Sequence, residues 1–283
     1  MQRARGATGH AGSGAPGRHS AAADQRQPVP GINQAGSGVP VCIRRLMKLD
    51  MHIHSCVSPC GALEMSPSAI AAAAAAAGMD GIALTDHNTA LNTPACAEAC
   101  RRAGLAFLAG VEVCTAEEAH VLCLFDTVDV ALAFGAEVYA QLPQVRNRPE
   151  KMGDQVYVDV EENILGEVEL YLGTGCAWPL TEVCHRVHER GGLFIPSHVT
   201  RPHNSLLSQL GMIPDLPYDA LEVTPGYAAA GLPESVWRRY PRMMASDAHH
   251  LRDIGRRCVE LEVASCDVRH VREALAATRP GPT

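Results

Sequence analysis

The sequence predicts an α/β protein whose strands, about seven or eight of them, form a distorted barrel. From Lys48 onward, short apolar runs alternate with stretches of helical periodicity, which is typical of βα units around a parallel sheet. Hydrophobic residues make up 47% of the 283 residues, enough for the core of one large domain. Histidines and acids stand at the ends of several predicted strands, where barrels of this kind carry their functional sites.

Residues 1–46 precede this pattern and are rich in Gly, Ser, Ala, Pro and Gln. They show no hydrophobic period and cannot bury enough apolar surface to offset the entropy lost on ordering, so we expect a disordered tail. The predicted folded domain is 47–283. Met47 is a candidate for the true start because predicted structure begins there, and N-terminal mass analysis of the native protein tests this hypothesis.

Charge is distributed unevenly between these two parts. Residues 1–48 hold seven Lys or Arg against one acid, whereas the remainder holds 17 against 30, within a total net charge of −7. A broad nucleic-acid surface requires clustered basic side chains, so the acidic body argues against a stable nucleic-acid partner. It suits a domain whose carboxylates are partly neutralised by bound cations.

The first βα units have clear boundaries. A strand is predicted at 49–53, and Ser66 and Pro67 then provide an N-cap and a first-turn proline for an alanine-rich helix that Gly78 ends. The second unit has its strand at 81–85 and its helix at 93–104. Residues 105–108 and 111–114 form one strand or a kinked pair, His120–Phe125 is a further strand, and a helix follows at 128–142.

Prolines and glycines then interrupt the pattern, so residues 143–178 are interpreted as an irregular insert with a short hairpin. We expect this insert to overlie the mouth of the barrel and to shape the pocket. The pattern resumes with a helix at 179–189, strands at 193–197, 220–224, 242–246 and 258–263, and a closing helix at 267–277.

Histidines and acids collect where the predicted strands end. In chain order they are Asp50, His52 and His54, Asp86 and His87, Glu112, His120, His198, and Asp247 and His249. In a parallel barrel the C-terminal ends of all strands face one mouth, so these groups should converge. His52 and His54, two apart on a strand, point to the same face.

Such a set of side chains is typical of a metal centre. Neutral imidazole and carboxylate bind borderline and hard divalent cations, and a mixed set suits zinc, manganese or iron. A lone His-x-His pair is more often an ordinary exposed pair. Several clusters, all at strand ends, indicate a site for two or three divalent metal ions.

These motifs, together and in order, resemble the PHP (polymerase and histidinol phosphatase) superfamily of metal-dependent phosphoesterases. They are His52-x-His54, Thr85-Asp86-His87-Asn88, Glu112 after a glycine, His120, His198 and Asp247-x-His249, spread over residues 48–260. The resemblance, to the stand-alone bacterial type of the superfamily, implies the PHP fold, a distorted (β/α)7-8 TIM-like barrel.

The resemblance also implies which residues hold each ion. His52, His54 and Asp247 would hold one metal ion. Glu112 would bridge it to a second ion on His120 and His198. His87 and His249 would hold a third.

One position departs from the family pattern. Related proteins have a His or Asp six residues after the second histidine, whereas this chain has Cys60. As a ligand, a thiolate is softer and would favour zinc or iron over manganese at the third site. The alternative is a small buried thiol with no metal.

The activity implied is hydrolysis of a phosphate monoester or of a nucleotide or oligonucleotide phosphodiester. Two metal ions about 3.5–4 Å apart share a water and lower its pKa toward ~7, so a metal-bridging hydroxide is the expected nucleophile. Arg201, three residues after His198, is the candidate for binding phosphoryl oxygens, with a surface arginine as the alternative. Asp86 is expected to orient a ligand imidazole. His203 is a candidate proton donor to the leaving oxygen, or a bystander.

Two other classes of protein stay open. Amidohydrolase-type enzymes also begin with His-x-His on a barrel strand, but they often bridge their metals with a modified lysine, and the sequence offers just Lys48 and Lys151. A non-catalytic or redox metal-binding protein would combine the same ligands with thiols. The cysteines near the metal end are Cys56, Cys60, Cys114 and Cys123.

The expected partner is a small phosphorylated substrate, such as a sugar or amino-alcohol phosphate or a nucleotide. No apolar run approaches the roughly 20 residues that span a bilayer, and the start lacks the apolar centre of a signal peptide, so we expect a cytoplasmic protein without a membrane partner. Eleven cysteines scattered through a long chain favour reduced thiols over a disulfide framework.

Overall fold

The computed structural model describes residues 43–279, whose strands and helices alternate as predicted. The strands are β1 (Arg45–Asp50), β2 (Gly81–Leu84), β3 (Ala106–Cys114), β4 (His120–Phe125), β5 (Val156–Val158), β6 (Ile164–Glu167), β7 (Leu193–Pro196), β8 (Leu221–Glu222), β9 (Arg242–Met243) and β10 (Val259–Val263). The helices are α1 (Pro67–Ala76), α2 (Thr93–Ala103), α3 (Val128–Tyr139), α4 (Pro149–Met152), α5 (Leu180–Glu189), α6 (Leu206–Leu210), α7 (Glu234–Arg239) and α8 (Val268–Ala277).

Six strands form one curled sheet in the order β10-β1-β2-β3-β4-β7. β1, β2 and β3 are parallel, β4 is antiparallel to β3 and β7, and β10 is antiparallel to β1. β8 and β9 form a parallel pair beside β7, where Val199 N–H donates to the Glu222 carbonyl at 2.8 Å. A bridge between Ile53 and Ala248 returns the chain to the end of β1. The predicted distorted barrel is thus confirmed as an α/β structure with a curled, half-barrel sheet.

The direction of β4 differs from the parallel arrangement predicted for every strand. Residues 115–119 are too few for the crossover that a parallel pair needs, so β3 and β4 form a hairpin in which Cys114 pairs with His120. His120 therefore stands at the start of β4 and not at its end. The expectation of a wholly parallel barrel was wrong here, although His120 reaches the same edge of the sheet.

The folded domain begins slightly earlier than predicted. Arg45 pairs with Val263 and Leu46 pairs with Glu262 at the end of the ladder between β1 and β10. β1 thus begins two residues before the predicted boundary at Met47, and a chain starting at Met47 would lack both pairs. Residues 1–42 of the predicted tail lie outside the described residues.

The ends of α1 follow local signals in the sequence. Ser66 Oγ accepts a hydrogen bond from Ala69 N–H at 3.3 Å, and Pro67 occupies the first turn, as the N-cap pattern predicts. Gly78 follows the helix with φ +72°, a conformation that strains residues with a Cβ. Ile70 is fully buried on the inner face of α1, so the helix packs on the sheet through one isoleucine and small alanines.

The core occupies both faces of the sheet, and β4 shows why. All six of its residues are buried. Val121 and Phe125 belong to one apolar cluster, whereas Leu122 and Leu124 belong to another, as the alternation of side chains along a strand requires. His120 is therefore a buried polar residue at the start of a strand that is otherwise entirely core.

The predicted insert, residues 143–178, contains α4 and the hairpin of β5 and β6. Gln155 Nε2 donates to the carbonyls of Val168 and Leu170 at 3.1 and 2.8 Å, which ties the hairpin to the chain that follows it. Asn88 Nδ2 donates to two further carbonyls of the insert, at 2.8 and 2.9 Å. These bonds fix the insert to the loop after β2, beside the edge where the histidines lie.

No helix among residues 43–279 is long and apolar enough to cross a membrane. The ten cysteines in the same range are all unpaired. Seven of the ten are buried, which indicates packing in the core as small apolar side chains.

His188 on α5 is expected to make stability depend on pH. A hydrogen bond with Asp219, at 3.2 Å, and a second with Cys184 raise the pKa of His188 from 6.5 to about 9. Because this pKa is higher in the folded chain, the stabilisation is complete below the unfolded pKa of 6.5 and is lost as the pH rises through about 9. We expect His188→Gln to lower the free energy of unfolding by about 1 kcal/mol near pH ~6 and by less near pH ~10, since the pair is partly exposed.

Urea unfolding at the two pH values measures this difference. His185→Gln is the matched control, because His185 lies on the same helix, is exposed, and contacts only the exposed Glu189 among its described ionic partners. An equal loss of stability at both pH values in His188→Gln would contradict the prediction.

Candidate metal centre

Glu112 lies at the centre of a buried group of five imidazoles. Its Oε1 is 3.2 Å from His52 Nε2, 3.3 Å from His120 Nδ1 and 3.4 Å from His198 Nε2. Its Oε2 is 3.1 Å from His87 Nδ1 and 3.4 Å from His54 Nε2. The carboxylate is 1% exposed, so these imidazoles replace water around it.

Short backbone contacts bring these residues together from distant parts of the chain. After β1, His54 N–H donates to the Ala248 carbonyl at 3.0 Å, so the His-x-His segment lies along the chain that carries Asp247. After β2, His87 forms a parallel bridge with Glu112 on β3. Because β3 extends beyond the end of β2, Glu112 projects into the mouth from within a strand and not from its end.

Asp247 closes the group on the side of β9. Its Oδ1 lies 3.3 Å from both His52 Nε2 and His54 Nε2, and its Oδ2 accepts a hydrogen bond from Arg201 Nη1 at 2.6 Å. Asp247 has φ +52° and His198 has φ +29°, in the left-handed region that costs a residue with a Cβ about 1 kcal/mol or more. The surrounding fold thus holds two of the clustered side chains in unfavourable backbone conformations.

Several buried polar atoms in the cluster have no hydrogen-bond partner among the described residues. They are both carboxylate oxygens of Glu112, both ring nitrogens of His198, and Nδ1 of His87. A buried polar atom without a partner costs roughly 1–3 kcal/mol, so a cluster of them indicates a missing ligand. A divalent cation accepts lone pairs from both carboxylate oxygens and from one ring nitrogen of each imidazole, and the site therefore fits the predicted metal ions.

The outer ring nitrogens determine where the imidazole lone pairs point. His52 Nδ1 is 2.9 Å from Glu222 Oε2 and His249 Nδ1 is 2.8 Å from the Asp247 carbonyl, and both oxygens only accept. The hydroxyl of Ser58 donates to an aspartate, so His54 Nδ1, 3.1 Å from Ser58 Oγ, must be the donor there. All three histidines then keep a free Nε2 lone pair for a metal ion.

Two of these lone pairs face each other directly. His52 Nε2 and His54 Nε2 are 3.1 Å apart. Lone pairs at this distance repel unless a proton or a cation lies between them. The pair is thus a second, independent feature that fits a bound cation.

Three groups of side chains have ligand atoms that all lie within 4.8 Å of one another. They are His52, His54 and Glu112; His87, Glu112 and His120; and His54, Cys60, His87 and His249. Glu112 is shared by two groups, as expected of a bridging ligand. His54 and His87 also belong to two groups each, whereas the prediction assigned each of them to a single ion.

Opposite charges in the cluster stabilise each other. Burial raises the pKa of Glu112, but the nearby imidazoles, His52 above all, lower it by a larger amount. The pKa of Glu112 therefore lies well below its usual range. Burial lowers the pKa of His52, but Glu112 and the other two carboxylates raise it well above the usual range. The pKa of His54 is lowered, first by burial and then by the nearby His249 and His87. The imidazoles around it therefore hold Glu112 in its ionised form.

Cys60 lies at one side of this centre. Burial raises the pKa of the Cys60 thiol, but the imidazoles of His87 and His249 lower it more, to about 6. The residue is exposed, so the thiol is also accessible. Cys60 therefore has the thiolate character that a metal ligand needs.

The other three cysteines named with it differ. Cys56, Cys114 and Cys123 are buried, and desolvation raises the pKa of Cys56 to about 11 and that of Cys114 to about 12. Within residues 43–279, Cys60 is the one cysteine that belongs to a group of possible metal ligands. The geometry thus gives no support to a thiol-rich pocket.

Asp86 acts on the cluster through a serine and not directly. It is 1% exposed and accepts three hydrogen bonds, from Ser55 N–H at 2.6 Å, Ser55 Oγ at 2.7 Å and Ser58 Oγ at 2.7 Å. Ser58 Oγ in turn accepts from His54 Nδ1. The expected contact between Asp86 and a ligand imidazole is therefore replaced by an Asp86–Ser58–His54 chain.

The two loop residues named for catalysis are placed differently. Arg201 is part of the centre through its bond to Asp247, although its side chain is 44% exposed. His203 is exposed, in the bend between β7 and α6. Its neighbour Asn204 accepts a hydrogen bond from His120 N–H at 2.9 Å, so this loop lies beside the cluster.

Glu222 also belongs to the candidate metal centre, although it was not among the predicted site residues. It is 2% exposed, and its Oε2 accepts from His52 Nδ1 at 2.9 Å and from His198 N–H at 3.1 Å. One carboxylate thus orients two of the clustered histidines. An acid inside the apolar run Ala220-Leu221-Glu222-Val223 was the available signal, because a charge in a buried strand needs a partner.

A cavity of about 210 Å³ opens onto the cluster on the side of Cys60, His87 and His120. Met152 and Tyr171 of the insert also line it. The insert therefore forms part of one wall of the space above the candidate metal centre.

The curled sheet and the buried group of imidazoles and carboxylates define a metal-binding α/β barrel protein. Residues 50–169 match the family described as PHP domain. They include the last residue of β1, four of the clustered histidines and most of the insert. The match confirms the resemblance to this family that the order of the motifs predicted. No curated protein matches the chain.

Solved structures with similar folds include three proteins, each 18% identical to this chain. A lesion-specific endonuclease from Pyrococcus furiosus has a TM-score of 0.60, over 82% of this chain and 56% of the endonuclease. A protein classed as a metal-dependent phosphoesterase from Bifidobacterium adolescentis has a TM-score of 0.55, over 81% of this chain and 95% of that one. An amidohydrolase from Chromobacterium violaceum, solved with bound sulfate and no metal, has a TM-score of 0.50, over 80% and 96%.

At this identity the likeness shows a shared fold. This chain spans just over half the length of the endonuclease. The fold common to these proteins carries different named activities, so the chemistry has to be argued from the side chains at the site.

Proposed function

We propose that this protein is a metal-dependent hydrolase of phosphoric esters, acting on a phosphate monoester or on a nucleotide or oligonucleotide phosphodiester. The observation that carries the proposal is Glu112, a buried carboxylate whose two unpartnered oxygens lie 3.1–3.4 Å from five imidazole nitrogens. A single carboxylate so surrounded is suited to bridging two cations. The match of residues 50–169 to the PHP domain family supports the same reaction class.

The proposed ligands are the nine residues identified from the sequence. They are His52, His54, Cys60, His87, Glu112, His120, His198, Asp247 and His249. Two or three divalent ions of zinc, manganese or iron, when bound, would supply an activated hydroxide as nucleophile and positive charge for the phosphoryl oxygens. The protein holds the ligand imidazoles through Glu222, Ser58 and the Asp247 carbonyl.

The remaining catalytic roles belong to residues around the centre. Arg201, which donates to Asp247 Oδ2 at 2.6 Å, is proposed to donate further hydrogen bonds to a phosphoryl oxygen at the same rim. Asp86 positions His54 through Ser58 and is a positioning residue. His203, exposed in the adjacent loop, is proposed as proton donor to the leaving oxygen, a role that requires the loop to turn inward on substrate binding.

A small phosphorylated compound is the proposed substrate, such as a sugar or amino-alcohol phosphate or a nucleotide. The cavity of about 210 Å³ beside the cluster is the proposed place where its phosphate enters. A cytoplasmic location is part of the proposal, because a thiolate ligand at Cys60 requires a reducing compartment. We propose no stable nucleic-acid partner, since the body of the chain is acidic.

An amidohydrolase mechanism with a modified bridging lysine has less support. Lys48 is half exposed and lies 3.6 Å from Glu260 on β10, and Lys151 is exposed on α4. Glu112 is the proposed bridging residue instead.

Elemental analysis of the purified protein, combined with a screen of aryl phosphates, nucleotides and sugar phosphates, tests the proposal. We expect two or three divalent ions per chain and turnover of at least one phosphoric ester. Retention of metal without turnover after loading with zinc, manganese or iron would favour the non-catalytic alternative. Absence of metal would contradict the centre itself.

Cys60 is expected to determine which metal ion its ligand group, with His54, His87 and His249, prefers. Cys60→Asp exchanges a thiolate for a carboxylate, so we expect affinity for zinc to fall about 10-fold or more while affinity for manganese changes little or rises. Competition between the two metals measures this ratio. In the cobalt-loaded protein, a sulfur-to-cobalt charge-transfer band should be present in the wild type and absent in the variant. Cys258→Asp is the control, because Cys258 is partly exposed, directly precedes β10 and belongs to none of the ligand groups found among residues 43–279. A wild-type cobalt spectrum without that band would contradict the prediction.

A further inference from the structure

The insert contributes a tyrosine to the wall of the cavity beside the candidate metal centre. Tyr171 lines this cavity of about 210 Å³ together with three of the proposed ligands, which are Cys60, His87 and His120. The Tyr171 side chain is half-buried, so part of it packs on the protein and part of it faces the cavity. None of the roles proposed above belongs to this residue.

The hydroxyl of Tyr171 has no hydrogen bond with any other residue in the range 43–279. Burial, and after it the nearby Cys60, raise the pKa of Tyr171 above its usual value of 10. The hydroxyl therefore keeps its proton at neutral pH and can donate a hydrogen bond to a ligand. A phosphate oxygen, which only accepts, suits such a donor.

The rest of this wall offers few other donors. Besides the three proposed ligands and Tyr171, it is formed by Pro59, Met152, Gly173 and Asn204. Among residues 43–279, no arginine or lysine lines this cavity, since Arg201 lines a different one. Apart from the metal ions, the oxygens of a phosphate that enters here would depend on neutral donors such as the Tyr171 hydroxyl.

Backbone hydrogen bonds fix Tyr171 relative to the proposed ligands. Tyr171 N–H donates to the Val145 carbonyl at 2.8 Å. The carbonyl of the next residue, Leu172, accepts from Asn88 Nδ2 at 2.8 Å, and Asn88 directly follows the proposed ligand His87. The segment that carries Tyr171 is thus tied to the segment that carries His87, which lowers the entropy that substrate binding would cost.

Gly173 leaves room for the side chain of Tyr171. A Cβ added at Gly173 would lie 2.5 Å from Tyr171 Oη and 2.6 Å from its Cζ, closer than a Cβ approaches another residue without a shift. Alanine at position 173 would therefore displace the hydroxyl. The place of the hydroxyl in the cavity can thus be changed without removing it.

We propose that Tyr171 is a substrate-binding residue whose hydroxyl donates a hydrogen bond to a nonbridging oxygen of the phosphate hydrolysed at the metal centre. This inference rests on the proposed function and deepens it. The insert would then bind the reacting phosphate itself, in addition to shaping the pocket.

Calorimetric binding of inorganic phosphate to the metal-loaded protein tests this inference without requiring turnover. For Tyr171→Phe, which removes just the hydroxyl, we expect the Kd for phosphate to rise about 10-fold. Steady-state kinetics with p-nitrophenyl phosphate or bis(p-nitrophenyl) phosphate, whichever the wild type hydrolyses, should show a similar fall in kcat/KM. Elemental analysis should show the metal content of the wild type.

Tyr157→Phe is the matched control. Tyr157 also lies in the insert and lines a different cavity, and its hydroxyl likewise has no hydrogen bond within the part of the chain that the structure describes. Its variant should bind phosphate as the wild type does. Gly173→Ala, which displaces the Tyr171 hydroxyl, should weaken phosphate binding. Gly166→Ala, which places a Cβ 2.5 Å from Tyr157 Oη, should not.

Three results would overturn the inference alone. One is unchanged phosphate affinity and unchanged kcat/KM in Tyr171→Phe. Another is an equal loss in Tyr157→Phe, which would indicate a general effect of the insert. The third is a fall of kcat/KM with unchanged phosphate affinity, which would assign the hydroxyl to the leaving group. If the loaded wild type neither binds phosphate nor hydrolyses either ester, the proposed function fails and the inference fails with it.

Discussion

Replacing Glu112 with Gln is expected to lower kcat/KM for a hydrolysable phosphate ester by about 10³-fold or more. The substitution keeps the size of the side chain but removes the negative charge that lies against all five imidazoles. A carboxamide bridges cations poorly, so the number of bound metal ions should fall at the same time. Elemental analysis and steady-state kinetics on the same preparation measure both effects.

Glu118→Gln serves as the control for Glu112→Gln. Glu118 lies in the turn between β3 and β4, is exposed, and has its own positive φ of 59°, which Gln tolerates as well as Glu does. Its variant should keep wild-type metal content and activity. Full metal content together with full activity in Glu112→Gln would refute the bridging role.

Asp86→Ala is expected to lower the free energy of unfolding by about 3 kcal/mol, because three buried donors lose their acceptor. Burial raises the pKa of Asp86 despite the hydrogen bonds from Ser55 and Ser58, so the native charge is itself costly, and this limits the loss. Urea unfolding with a chelator present measures the effect on the metal-free fold. The same variant should bind metal about 10–100-fold more weakly, since Ser58 no longer fixes His54.

Two other variants separate these effects of Asp86. Asp80→Ala removes an acceptor for the exposed Lys48 N–H, at 2.9 Å, and should cost less than about 1 kcal/mol. Ser58→Ala breaks the link to His54 but leaves two of the three bonds to Asp86. We therefore expect a larger effect on metal affinity than on the free energy of unfolding. Equal stability of Asp86→Ala and the wild type would show that the buried bonds contribute nothing net.

Most secondary structure could be predicted from the sequence because its causes are local. The bounds of β4, His120–Phe125, match the prediction, since six consecutive apolar or β-forming residues lie between a turn and a helix cap. Helices α1 and α8 begin where Ser66 and Asp267 provide side-chain caps. The short strands β8 and β9 are two residues each, shorter than predicted, because hydrogen bonding to a neighbouring strand sets their length.

The ligand types could also be predicted, because imidazole, carboxylate and thiol chemistry is visible residue by residue. The way in which these ligands group together could not be predicted. His54 and His87 each lie in two possible ligand groups, and Cys60 joins His54 as well as His87 and His249. These groupings depend on distances of a few ångströms between segments that are far apart in sequence.

The sequence by itself determined the alternation of strands and helices, the insert, and the histidines and acids that carry the proposed chemistry. Only the tertiary structure decided that β4 runs antiparallel and that Glu222 orients His52 and His198. Helix caps and strand periodicity are short-range effects that neighbouring residues fix. Strand direction and hydrogen-bond partners depend on which distant segments the folded sheet places in contact.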